Sequence, residues 1–142
     1  MNDLYQKTIV DHARRPRNFG QLAGANRSAQ GVNPLCGDEI TVHLSASDRI
    51  EAVSFEGAGC AVCLASASLM TLAVSGLSPA EAGRLVQRVR ELVAGGDGAN
   101  LGDLQALQGV SPFPARQKCA LLAWRALEAA LAGEAAAVST EL

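Results

Sequence analysis

Cys36 and Asp38 stand two residues apart in the stretch Asn33-Pro34-Leu35-Cys36-Gly37-Asp38. In extended or turning backbone, side chains at i and i+2 leave on the same side. Gly37 between them permits the tight backbone that lets both converge on one point. A thiolate and a carboxylate aimed at one point are two metal ligands in need of others. The further sulfurs, Cys60 and Cys119, lie far along the chain. A fold that uses them together has to gather distant segments at one place, and this requirement constrains the chain more than any other feature.

The length of 142 residues suits one domain with a sizeable core, expected over residues 1–133. Residues 134–142 carry no pattern and are expected to be a disordered tail. Apolar residues make up 49% of the chain but aromatic ones only 4%, so the core must be built from Ala, Leu and Val. A formal net charge of −2 speaks against nucleic acid as the main partner, because that binding needs a basic surface. No apolar run approaches the ~20 residues that span a bilayer, and there is no secretory leader pattern, so no membrane partner is expected. The chain reads as cytoplasmic. In a reducing compartment its four cysteines point to metal binding or thiol chemistry, not to structural disulfides.

The periodicity predicts a fold class of α+β. A helix over residues 2–13 would bury Leu4, Tyr5, Thr8, Ile9 and His12, and Pro16 would stop it. Arg14, Arg15 and Arg17 then form the one basic cluster, read as a solvated turn or as a docking patch for an acidic partner. A weak strand is expected from Ala25 to Gly31, and better ones from Glu39 to Ser45 and Ile50 to Glu56, joined by a turn at Ser47-Asp48-Arg49. Val42 and Leu44 take the apolar face, which leaves His43 facing solvent and not acting as a ligand. A helix from Ala61 to about Ser75 is crowded with small residues suited to close packing. Ser78-Pro79-Ala80-Glu81 is a capping box that opens a third helix, ended by Gly95-Gly96. A loop, a short helix from Asp103 to Gln108, and a last helix from near Pro114 to Gly133 complete the chain. On that last helix Cys119, Leu122, Ala123, Ala126, Leu127 and Ala130 form one buried stripe. The expected architecture is a small antiparallel three-stranded sheet covered by helices.

Cys60 and Cys119 both fall near predicted helix N-terminal ends, where unpaired amides and the helix dipole favour a thiolate. Arg116, one turn before Cys119, is placed to lower that thiol further or to pair with Asp38. Zinc takes four ligands in a tetrahedron, and Cys36, Asp38, Cys60 and Cys119 supply three sulfurs and one oxygen. A single carboxylate in a sulfur-rich set points to a labile position and so to chemistry at the metal. The alternative for each cysteine is a small core filler, least fitting for Cys36 in its turn context.

The segments Leu4-Tyr5, Asp11-His12, Pro16-Arg17-Asn18-Phe19-Gly20, Asn33 to Asp38, Phe55-Glu56-Gly57-Ala58-Gly59-Cys60, Ala65 to Met70, Leu107 to Val110 and Phe113 to Cys119 are long and ordered. With them the chain resembles the iron–sulfur cluster assembly proteins of the IscU/NifU N-terminal type, and most closely their SufU branch. Two features favour that branch. Lys118 stands where IscU-type scaffolds carry a histidine, and the 58 residues between Cys60 and Cys119 match the longer form.

The resemblance implies a SufU/IscU-like fold and a zinc ion held by Cys36, Asp38, Cys60 and Cys119. It implies a sulfurtransferase role in which Cys36 accepts persulfide sulfur from a pyridoxal-phosphate cysteine desulfurase of the SufS type. A desulfurase histidine displaces this cysteine from the metal, and the residue matching Arg116 pairs with the aspartate in the exchanged state. A downstream SufBCD-type scaffold is an expected recipient. The alternative is a scaffold that builds and transfers a [2Fe–2S] cluster on the same ligands. A structural zinc protein and a thiol oxidoreductase using Cys60 and Cys63 are further readings. Cys63 departs from the family pattern, where a serine or another residue is usual. It is read as a small residue in a tight helix contact, with an alternative ligand, a resolving thiol or a disulfide partner as the other possibilities.

Overall fold

The structure is a computed structural model that describes residues 3–133 and 138–139. Helix α1 (Asp3–Arg14) precedes strands β1 (Arg27–Asn33), β2 (Asp38–Ala46) and β3 (Ile50–Ala58). Helices α2 (Ala61–Val74) and α3 (Pro79–Val93), a 3₁₀ segment (Gly102–Val110) and helix α4 (Pro114–Ala132) follow. The three strands pair antiparallel in chain order, which is the sheet expected from the sequence. The weakly marked first strand runs two residues further than its composition indicated, ending at Asn33.

A fourth strand was not expected. Val138 and Ser139 (β4) pair parallel with Gly31 and Val32 at the outer edge of β1, so the sheet order is β3-β2-β1-β4. At these two residues the tail is paired backbone, whereas the sequence suggested disorder. The remainder of that expectation, 134–137 and 140–142, lies outside the described residues.

Strand alternation sends Ile40, Val42 and Leu44 of β2 into the core, all fully buried, while Thr41, His43 and Ser45 face outward. Helix α4 covers this inner face. It approaches β1 so closely that a Cβ at Gly31 would stand 2.9 Å from the Leu122 side chain and 3.2 Å from its carbonyl oxygen. All six residues of the predicted stripe on α4 are buried, but so are Ala120, Trp124 and Ala129 on other faces. The reason is that α4 sits between the sheet and α2. Ten of the fourteen residues of α2 are buried as well. The small residues of α2 permit this contact and also stitch it: Ser66 Oγ donates to the Ala120 carbonyl at 2.6 Å and accepts from Trp124 Nε1 at 3.0 Å. The capping box at α3 forms as read, with Ser78 Oγ accepting from Glu81 N and Glu81 Oε1 accepting from Ser78 N. Among the described residues, no helix is long and apolar enough to cross a membrane.

The segment after α1 is a clip. Asn18, in the left-handed region at φ 58°, gives its carbonyl to Phe55 N at 3.0 Å, and Gly20 N donates back to Phe55 O at 2.7 Å. Asn18 Nδ2 also reaches Thr71 of α2 at 2.9 Å. Two of the three clustered arginines serve this turn: Arg15 and Arg17 both pair with Asp11, at 3.1 and 2.7 Å.

His12 is buried beneath the clip and shares a 2.7 Å hydrogen bond between Nδ1 and Ser68 Oγ, which also accepts from Arg17 N. Burial, helped by the nearby Arg17 charge, lowers the His12 pKa, and Asp11 and Asp103 oppose the shift without reversing it. A histidine depressed in the fold contributes stability above its unfolded pKa, and that contribution is lost as pH falls. Wild type is therefore expected to lose more stability than His12→Gln between about pH 7.5 and about pH 5, below the ordinary histidine value of ~6.5. Urea midpoints at the two pH values measure this, and equal losses in both proteins would refute it.

Candidate metal centre

Register builds the site. Asn33, the last residue of β1, pairs with Asp38, the first of β2, and the four residues between them form the connecting turn. The turn closes on the Asn33 carbonyl, which accepts from Cys36 N at 3.3 Å and Gly37 N at 2.9 Å. Gly37 takes φ 72°, a conformation that suits glycine. Leu35 and Cys36 are left exposed at the tip, whereas Asp38 is 1% exposed.

The Asp38 carboxyl group accepts from the backbone N–H of Cys60 at 3.0 Å through Oδ1 and from Asn33 Nδ2 at 3.3 Å through Oδ2. Cys60 is the N-cap of α2, and its own side chain makes no capping bond. Asp38 thus supplies, from another strand, the acceptor that a helix start calls for. The approach depends on Gly59, where a Cβ would lie 2.7 Å from Asp38 Oδ1 and 3.2 Å from Asp38 Cβ.

Helix α4 brings in Cys119, which is fully buried. Its Sγ lies 3.7 Å from Cys36 Sγ and 3.6 Å from Asn33 Nδ2. The ligand atoms of Cys36, Asp38 and Cys119 all fall within 4.8 Å of one another. Cys60, half-buried at the start of α2, stands outside this trio. Two sulfurs each bound at ~2.3 Å to a tetrahedral zinc would be about 3.8 Å apart, close to the Cys36–Cys119 separation. Two soft sulfurs and one oxygen gathered in this way, with a third sulfur at the nearby start of α2, are a donor set that fits zinc.

The expectation that Cys119 gains thiolate character from a helix start needs correction. Cys60 does sit at the N-cap of α2, but Cys119 is the sixth residue of α4, beyond the first turn where the dipole acts. Burial instead pushes the Cys119 thiol up, reinforced by hydrogen bonds with Asp38 and Cys60. A bound metal would supply the charge that burial withholds. Arg116 is exposed, and its interaction with the Cys60 and Cys119 sulfurs raises its pKa.

Cys63, in the first turn of α2, is fully buried in the core, and burial followed by the Asp38 charge pushes its thiol up. A thiol so placed is a small core residue of low reactivity, in line with the tight-contact reading. His43 is far from these residues, on the outer face of the sheet, where it bridges Ser28 Oγ at 2.7 Å and Glu56 Oε2 at 2.9 Å. Sequence reasoning did not single out the side chain of Asn33. Only the register of a weakly marked strand sets it opposite Asp38, and no spacing rule signals that.

The chain matches the family model described as the NifU-like N terminal domain over residues 4–133. It is 41% identical to the zinc-dependent sulfurtransferase SufU of Bacillus subtilis (strain 168) over 138 residues, covering 94% of this chain and 93% of that protein. It is 42% identical to the iron–sulfur cluster assembly scaffold protein IscU of Streptococcus pyogenes serotype M1, covering 92% of this chain and 84% of that one. A solved SUF-system iron–sulfur cluster assembly scaffold protein of Fervidobacterium islandicum AW-1 superposes with a TM-score of 0.83 at 33% identity, covering 90% of this chain and 96% of that chain. The chain belongs to the NifU-like N-terminal domain family of iron–sulfur cluster assembly proteins, the family to which SufU and IscU proteins belong.

Gly59→Ala is expected to cost about 1–3 kcal/mol, because the new methyl group drives Asp38 off the start of α2. Chemical denaturation measures it, and a variant as stable as wild type would contradict the close approach described for Gly59.

Proposed function

We propose that this protein is a zinc-dependent sulfur acceptor. It relays persulfide sulfur from a pyridoxal-phosphate cysteine desulfurase of the SufS type toward iron–sulfur cluster assembly. The observation that carries the reading is the contrast within the site. Cys36 is an exposed thiol on a turn, next to Asp38 and Cys119, which are both buried and fixed. A site built this way can lose one ligand and keep the others.

Cys36, Asp38, Cys60 and Cys119 would hold the metal. Zinc bound there keeps a coordinated thiol deprotonated at neutral pH while damping its nucleophilicity. The released Cys36 thiolate attacks the terminal sulfur of the desulfurase persulfide. A Cys36 persulfide forms, the S–S bond of the donor breaks, and the desulfurase thiolate leaves. Arg116 carries positive charge at the mouth of the site, where it steadies the remaining anionic sulfurs. Leu35, 71% exposed beside Cys36, offers an apolar contact for the partner. A SufBCD-type scaffold is the proposed onward recipient, and the cytoplasm the proposed compartment.

The second reading, a scaffold for a [2Fe–2S] cluster on the same ligands, draws support from the 42% identity to the Streptococcus IscU. Lys118, where scaffolds carry a histidine, favours the acceptor.

Two outcomes are expected. The protein as purified carries about one zinc and little iron, since four donors of this kind make one tetrahedral site. A coloured, iron-loaded protein would instead favour the scaffold. Added to the desulfurase of its own organism, wild type speeds alanine formation from cysteine, and Cys36→Ala returns the rate to that of the desulfurase alone. Acceleration that survives Cys36→Ala would remove Cys36 as acceptor.

A further inference from the structure

We propose that Asn33 is a positioning residue of the metal centre, whose side-chain amide clamps Asp38 to Cys119 so that both stay in place when Cys36 leaves. The inference rests on the metal-site reading above and adds to it a residue that is not itself a ligand.

Asn33 is 1% exposed, and a primary amide buried to that degree needs partners for its N–H groups. Its Nδ2 finds them in Asp38 Oδ2 at 3.3 Å and Cys119 Sγ at 3.6 Å. These acceptors come from two elements far apart in the chain, the start of β2 and the body of α4. Both are atoms that carry negative charge when they bind a metal. A hydrogen bond from a neutral amide to an anionic acceptor is stronger than one to a neutral group. The clamp therefore tightens in the charged, metal-binding form of the site and offsets repulsion between the carboxylate and the thiolate.

The same residue treats Cys36 differently. Its backbone carbonyl holds the turn through the Cys36 and Gly37 amides, while its Nδ2 is directed at Asp38 and Cys119. The Cys36 sulfur, exposed at the tip of the turn, lies 3.7 Å from the Cys119 sulfur. Asn33 thus reaches the two buried ligands through its side chain and the exposed one through the backbone of its turn. A purely structural asparagine at a strand end would bond turn backbone with its side chain. Here the side chain is directed at two ligands and the backbone does the turn work.

The test uses the full chain loaded with cobalt(II) in place of zinc, together with zinc competition against a chromogenic chelator. In wild type the sulfur-to-cobalt charge-transfer absorption reports thiolate ligation. Asn33→Ala is expected to weaken zinc by roughly 10- to 100-fold, as loss of a hydrogen bond to a ligand typically does. It should also move the charge-transfer band to lower energy, because the Cys119 thiolate loses an N–H donor. A general loss of stability would not shift that band. Asn33→Leu, which fills the space without donors, is read in the same way and guards against a variant that fails only because of a cavity. In a Cys36→Ala background the chain is expected to retain zinc through dialysis, and Cys36→Ala combined with Asn33→Leu to lose it. A folded Asn33 variant with wild-type affinity and an unmoved band would overturn the inference while leaving the metal site standing. A wild-type chain with no thiolate–cobalt absorption would instead overturn the metal reading, and the clamp with it.

Discussion

The buried carboxyl group of Asp38, resting on the first amide of α2, is the contact on which the rest of the centre depends. A carboxyl group at 1% exposure is stable only with donors around it, and leaving such a group unpaired costs several kcal/mol. The donors come from the helix start at Cys60 and from the end of β1 at Asn33. This one group therefore joins β1, β2 and α2. The bare Cα of Gly59 lets α2 come near enough. The close seat of α4 on β1 at Gly31 then delivers Cys119 to the same point. The site is a consequence of how the core closes, not an addition to it.

That origin explains why the candidate ligands differ in character. Asp38 and Cys119 are core positions, fixed by packing on every side, whereas Cys36 sits on a turn that projects from the ends of two strands. Burial raises the Cys119 thiol, so apolar surroundings alone would keep it protonated. The stability of this sulfur as an anion is thus tied to a cation beside it, either a metal or the Arg116 guanidinium. Cys36 is instead exposed, on a short turn.

Much of the fold was legible in the sequence. The capping box at Ser78, the alternation along β2 and the stripe on α4 each reflect local geometry, and each appears where the pattern set it. The gathering of Cys36 and Asp38 followed from their spacing and Gly37. Less legible were features made by distant contacts. The α4 stripe understated burial, because it could not reveal that α2 covers the opposite side of the helix. The Pro16–Gly20 segment read as a loop with a basic cluster, but it is a clip that anchors β3 and α2 through backbone groups invisible to composition. The two-residue strand at Val138 is too short to leave any periodicity.

The sequence by itself determined the elements, the donor types and the likeness to an iron–sulfur cluster assembly family, because caps, alternation and ligand chemistry are local properties of residue and spacing. Tertiary structure alone decided which groups serve those donors. It set Asn33 across from Asp38, made Asp38 the cap of a helix it does not belong to, moved Cys119 beyond the reach of its helix dipole, and sealed Cys63 into the core. Each of these follows from register and packing between segments tens of residues apart, where hydrogen-bond partners and burial are fixed only once the core has closed.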